Sequence, residues 1–271
     1  MNALHSRDGT AIAYSTTGHG PAVILVDGAL CHRAIGPSGP LAELLAEQFT
    51  VYTYDRRGRG QSGDTAPHSV DREVEDLAAL IDAAGGSAHL YGISSGAVLA
   101  LDAAAHGLPV ESHALYEPPF IVDDGRPAMG TRYTEPLTAA IAEDRRGDAV
   151  ALFMRQVGVP APMLAVMRLT PVWRKLKAAA HTLAYDAAIM GDTQSGNPLP
   201  ADRWSAVTTP VLVAVGGKSP AWLQHGTAAL AEALPNACYT SLAGQTHMVR
   251  AKALAPVLAS FFTSGERALV A

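Results

Sequence analysis

Short runs rich in Val, Ile and Leu recur along the chain, and between them apolar residues return with helical spacing. Runs of this kind are buried on both faces, and their alternation with helices is the pattern of a mostly parallel sheet covered on both sides. The pattern predicts strands over 11–15, 22–26, 50–54, 88–93, 112–116 and 211–215, with a weaker one over 237–241, the first two as an antiparallel pair. Helices are expected over 41–47, 69–84, 95–106, 222–234 and 251–262. In 69–84, Val70, Val74, Leu77 and Ile81 share one stripe with Leu80 beside it, and Asp71 complements the positive helix N-terminus.

The rhythm breaks between 120 and 205, where helical stripes continue without a convincing buried strand. Leu137 and Ile141, then Val150, Phe153 and Val157, then Met163, Val166 and Met167 form amphipathic pieces punctuated by Pro136, Pro160, Pro162 and Pro171. This stretch reads as a helical lid inserted into a core made of 1–119 and 206–271. A length of 271 residues permits one large α/β core, and 48% hydrophobic with 17% charged residues excludes disorder as the main state. The net charge of −5 has no long run of one sign, which argues against a nucleic-acid partner. No segment approaches the roughly 20 apolar residues of a membrane span. The opening MNALHSRDGT lacks a secretory pattern, so a cytoplasmic protein is expected. Cys31 and Cys238 are too few for a disulfide framework and read as reduced packing residues.

The segment HLYGISSGAVLALDAAA sets Gly92, Ser94 and Gly96 between an apolar strand and a helical pattern, a G-x-S-x-G match in the context that gives it meaning. A nucleophilic serine needs a tight turn, small neighbours and a helix N-terminus beneath it, and the frame selects Ser94 over Ser95. The alternative is an accidental Gly and Ser turn. A general base is expected late in the chain, and His247 in GQTHMV lies between the last strand and the last helix, where a loop could return its imidazole to Ser94. Of the other histidines, His89 and His113 fall in or beside strands, His106 at a helix end, and His5, His19, His68, His181 and His225 lack a reactive frame. His32 stands close enough to the turn after the second expected strand to reach a substrate.

Over nearly its whole length the chain resembles the α/β-hydrolase superfamily, in GISSG, in His247, in YDRRGRGQSGD (54–64) and in VDGALC (26–31). The last two look like the family's loop after its fourth strand and its oxyanion loop. The resemblance implies oxyanion donors at the backbone N–H of Ser95 and of Gly28 or Ala29. Asp27 departs from it, standing where many members carry His. Many members also place an Asp after the strand at 211–215, where this chain reads GGKSPAW with no carboxylate. Glu117 in LYEPPF, directly after the preceding strand and one methylene longer than Asp, is the replacement, with Pro118 and Pro119 stiffening its backbone and Asp123 or Asp124 as fallback acids. Zearalenone-type lactonases of this superfamily show the same relocation, and also resemble this chain in a Ser-Ser-Gly-Ala elbow. Glu117 as a surface carboxylate or lid anchor is the competing reading.

The expected activity is therefore cofactor-free hydrolysis of a carboxylic ester or lactone through Ser94, His247 and Glu117, on a small-molecule substrate that includes bulky apolar lactones. Thioester hydrolysis or acyl transfer on the same residues is one alternative, and a ligand-binding protein with little turnover is another. GRGQSG (58–63) also satisfies G-x-G-x-x-G, but DTAPHS follows it where a pyrophosphate would need a helix N-terminus. No metal-ligand spacing or Walker motif is found, so no cofactor and no metal are expected. His32, Met154, Trp173, Met190 and Met248 are the candidate substrate-binding residues, against the alternative that the lid residues among them only pack helices onto the sheet.

Overall fold

A computed structural model describes residues 2–200 and 202–264. Eight strands form one sheet in the order β1-β2-β4-β3-β5-β6-β7-β8, where β1 is Asn2–His5, β2 Ala11–Thr17, β3 Ala22–Val26, β4 Thr50–Tyr54, β5 Ala88–Ile93, β6 Val110–Tyr116, β7 Val211–Gly216 and β8 Ala237–Leu242. From β4 to β8 every pairing is parallel, while β2 runs antiparallel to both β1 and β4. The first two expected strands, β2 and β3, do run in opposite directions, but β4 lies between them. They are not a pair. Strand β1 was not expected, because NALH is short, exposed and without an apolar run.

Helices α1 (Ser38–Leu45), α2 (Val70–Ala83), α3 (Ser95–Ala105), α9 (Ala221–Ala233) and α10 (Ala251–Ser264) cover the two faces. Ser69 caps α2 by accepting from the Arg72 N–H, and Asp71 and Glu73 sit in its first turn. One face of the sheet packs Ile24, Val26, Leu90, Leu115 and Val213 against α2 and α3. The other packs Val23, Leu25, Tyr91, Ala114 and Leu212 against α1 and α10, including Leu41, Leu45, Leu258 and Phe262. Side chains of one strand alternate between these two clusters, as a pleated strand buried on both sides requires.

Between β6 and β7 lie α4 (Gly130–Ala142), α5 (Arg146–Gln156), α6 (Ala161–Met167), α7 (Pro171–Ala178), a single 3₁₀ turn (Ala180–Thr182) and α8 (Leu183–Met190). Pro160 and Thr170 stand at the N-caps of α6 and α7, and Pro171 opens α7, where a missing N–H costs nothing. Pro136 lies inside α4 instead of ending it. A third apolar cluster joins these helices through Leu137, Ala149, Val150, Leu164, Trp173 and Leu183, and takes Leu30 from the loop after β3. The α6 stripe differs from expectation: Met163 and Val166 face outward, 56% and 63% exposed, and Leu164 is the residue turned inward. The periodicity of a seven-residue helix holds too few positions to fix its buried side. Among the described residues no helix is long and apolar enough to cross a membrane.

Sequence reading did not find the burial of three arginines, Arg56, Arg57 and Arg59, in the loop after β4. Arg57 is paired with Asp76 (2.7 Å) and Asp8 (3.0 Å), and Arg56 with Glu73 through two bonds of 2.7 and 2.8 Å. Burial alone would raise the pKa of Glu73, but Arg56 and the bonds from His68 and Arg56 hold its carboxyl well below the usual range. Removing one member of such a pair strands the other charge without water. Glu73→Gln should therefore lower unfolding free energy by about 3 kcal/mol, read from urea titrations at neutral pH.

Candidate active site

In a parallel sheet the loops that follow the strands gather at one edge, the carboxyl edge. Asp27 to Leu30 leave β3 there, Ser94 leaves β5, Glu117 leaves β6, Gly217 to Ser219 leave β7, and His247 follows β8. The register sets Val26 beside Gly92, Ile93 beside Tyr116 and Tyr116 beside Ala214, so Ser94 and Glu117 emerge from neighbouring strands. The Ser94 N–H donates to the Tyr116 carbonyl at 3.0 Å and the Glu117 N–H to the Ala214 carbonyl at 3.0 Å, which extends the ladder by one step at each turn.

Ser94 has φ 58° and ψ −129° and stands as the N-cap of α3, half-buried. Its left-handed backbone is a strained state for a residue with a Cβ, and it turns the side chain out of the sheet at the helix N-terminus. Gly92 and Gly96 make this turn possible. A Cβ on Gly92 would lie 2.6 Å from the Ala97 Cα, and one on Gly96 would strike the Val26 and Asp27 carbonyls. Gly28 is equally close on the other side, since a Cβ there would come within 3.0 Å of the Ser94 Cβ and 3.5 Å of its Oγ. Of the expected oxyanion residues, Gly28 thus borders Ser94 and Ser95 is buried next to it in the chain, while Ala29 packs against the cluster of α4 to α8.

Glu117 is completely buried and also left-handed, φ 48°. Its Oε2 lies 2.8 Å from the His247 Nδ1, and its Oε1 accepts from the Gly216 N–H at 2.6 Å and from the Ser219 hydroxyl. The carboxylate is thus held by three donors, two of them from the loop in which an acid was missing. Tyr116, one residue earlier, donates its hydroxyl to the Thr246 carbonyl at 2.7 Å and so fixes the backbone just before His247. The fallback acids lie elsewhere in bonding terms. Asp123 pairs with His225 at 2.7 Å, and Asp124 is exposed.

The five candidate substrate residues separate. Met248, beside His247, is 82% exposed. His32 is half-buried, and burial lowers its pKa with help from the cations Lys175, Arg59 and Arg33, against Asp55. Trp173 and Met154 belong to the cluster of α4 to α8, into which Leu30 also packs. Met190 is a core residue in the cluster that contains Phe120 and Trp204. Helix α2 begins at Val70, seven residues after Gly63, so GRGQSG has no helix N-terminus directly behind it. Gly58 and Gly60 instead let that loop turn, with φ 73° and 55°.

Residues 17–257 match the family model for the alpha/beta hydrolase family, and the chain belongs to that family. An alpha/beta hydrolase from Sphaerobacter thermophilus, known as a crystal structure, is 52% identical with a TM-score of 0.88, covering 96% of this chain and 100% of that one. N-formylmaleamate deformylase of Pseudomonas putida is 41% identical over 106 residues, 38% of this chain. The match thus spans only 39% of that curated relative's length. An enol-lactonase from Burkholderia xenovorans shares the fold, at 23% identity and TM-score 0.68 over 97% of this chain and 100% of its own. None of these relatives singles out the zearalenone-type lactonases, so that finer resemblance rests on the sequence motifs.

Asp27, the departure in the oxyanion loop, is buried and accepts the Ser38 hydroxyl at 2.7 Å. Burial pushes its carboxyl up to about 6, although Ser38, Arg59 and Arg56 act to lower it. The folded chain thus binds this proton more tightly than the unfolded chain, whose carboxyl keeps the ordinary value of 3.8. The favourable contribution is complete below that value and is lost as pH rises through about 6. Asp27→Asn should therefore raise stability by about 2–3 kcal/mol above neutral pH and change it little below about pH 4, checked by a pH series of denaturation curves.

Proposed function

We propose that the protein is a cofactor-free serine hydrolase of carboxylic esters or lactones, with Ser94 as nucleophile, His247 as general base and Glu117 as the acid that orients it. The observation that carries this reading is the 2.8 Å contact between the His247 Nδ1 and a buried Glu117 whose other oxygen is already saturated by two donors. A carboxylate so placed holds the Nδ1–H tautomer, leaves Nε2 free to accept the Ser94 proton, and stabilises the imidazolium that results.

In this mechanism the Ser94 Oγ bonds to the carbonyl carbon as its proton passes to His247, and the new oxyanion takes N–H donors from Ser95 and from Gly28 or Ala29. His247 then returns the proton to the leaving alkoxide as the carbon–oxygen bond breaks. Water, deprotonated by His247, attacks the acyl-enzyme and releases the acid with Ser94 restored. For a lactone the freed hydroxyl belongs to the same molecule as the acyl group, so this last step releases a single hydroxy acid. Helices α4 to α8 act as the lid, with Trp173 and Met154 on its inner cluster and His32 and Met248 at the rim. The match to N-formylmaleamate deformylase favours a second reading, hydrolysis of an N-acyl bond by the same residues, in which His247 protonates a nitrogen leaving group.

A fluorophosphonate should label the wild type at Ser94, located by intact mass and peptide mapping, and should leave Ser94→Ala unlabelled. Glu117→Gln should cut kcat by about 10³–10⁴ while the protein keeps its circular dichroism spectrum, because the amide cannot hold the required tautomer. Near-normal turnover by this variant removes Glu117 from the mechanism. Comparing phenyl esters, lactones and N-formyl amides then separates the two substrate readings.

A further inference from the structure

Asp186 on α8 is the centre of a buried network that reaches every backbone donor proposed for the oxyanion. Its Oδ1 accepts the Ser95 hydroxyl at 2.7 Å and the Arg56 Nη1 at 2.9 Å, and its Oδ2 accepts the Arg59 Nη2 at 2.8 Å. The same Arg56 Nη1 donates to the Asp27 carbonyl at 3.2 Å, and the Arg59 Nη1 to the Gly28 carbonyl at 2.7 Å. The second pairing of Arg56, with Glu73, and a bond of 3.1 Å from the Arg59 Nε to the Thr182 hydroxyl complete the cluster. Asp186 is 5% exposed, and both guanidiniums are more deeply buried still.

In a trans peptide the carbonyl and the following N–H point in opposite directions across one rigid plane. A cation on the Asp27 carbonyl therefore sets the direction of the Gly28 N–H, and a cation on the Gly28 carbonyl sets that of the Ala29 N–H. Each guanidinium also draws electron density towards the carbonyl oxygen, which makes the N–H at the far side a stronger donor. Asp186 also ties down, by accepting its hydroxyl, the residue that carries the Ser95 N–H. Oxyanion stabilisation depends on donors fixed before the charge develops, so a group that holds all of them acts on the transition state more than on the bound ester.

We infer that Asp186, working through Arg56, Arg59 and the Ser95 hydroxyl, is a positioning residue for the oxyanion hole, contributed by the segment between β6 and β7. This rests on the reading of Ser94 as nucleophile.

The test uses the full chain, with turnover of a p-nitrophenyl ester normalised to the number of sites titrated by a fluorophosphonate carried to completion. Asp186→Asn should lower kcat per titrated site by about 10- to 100-fold with KM within about threefold, the pattern of an interaction made in the transition state. Ser95→Ala, which keeps the backbone N–H and removes one contact, should lower it by about 3- to 10-fold. Tyr185→Phe, on the same helix as Asp186, breaks a bond of 3.0 Å to Asp64 in the loop before α2 and should leave the per-site rate unchanged. A purely structural role would reduce melting temperature and the number of titratable sites but not the rate per site. Unchanged per-site kcat in folded Asp186→Asn overturns the assignment, and if that variant does not fold, unchanged kcat in Ser95→Ala does so. A wild type that is neither labelled nor active overturns the hydrolase reading itself.

Discussion

Two residues with side chains are held in the left-handed backbone region at the ends of adjacent strands, and the geometry of the carboxyl edge follows from that constraint. Ser94 and Glu117 each cost strain that only the surrounding packing can sustain. The neighbouring strands supply it, since each of the two residues donates its N–H to the strand beside it before turning away. Leu30, in the loop that faces Ser94, is left-handed as well at φ 62°. Three of the four positive-φ residues other than glycine among the described residues therefore surround one position.

The ionic interior behind β4 obeys a different economy. Burying Arg56, Arg57 and Arg59 carries a desolvation penalty of several kcal/mol per ion, so stability alone does not explain them. What they gain is direction. Each guanidinium is planar with donors at fixed angles, and here those donors meet carboxylates on α2 and α8 and carbonyls in the loop after β3. The loop is thereby fastened both to α2 and to α8 in the segment between β6 and β7.

Much of the sheet was legible in the sequence because its strands are continuous apolar runs, and a run buried on both faces admits few other readings. Ser94 was legible for a local reason, a strand, a tight Gly-Ser turn and a helix within a few residues. Glu117 was expected from the family resemblance, which places an acid after the strand at 211–215 where GGKSPAW has none, and from the carboxylate after the preceding strand. Asp186 left no such trace. It lies 91 residues from Ser95 and 130 from Arg56, on a short helix with an ordinary composition. The one signal in the chain was DRRGR itself, three cations in four residues directly after a buried strand, which reads only as part of the family-like loop over 54–64. The outward stripe of α6 and the insertion of β4 between β2 and β3 likewise depend on contacts across the fold that no local spacing encodes.

With a buried carboxylate at the end of β6, the β7 loop takes a particular part. It contributes only two donors, the N–H of Gly216 and the hydroxyl of Ser219, and the negative charge sits on a neighbouring strand. Lys218 and Pro220 are exposed and lie outside those bonds. The charge is thereby anchored at the end of β6, while the β7 loop must keep Gly216 and Ser219 in place to hold it.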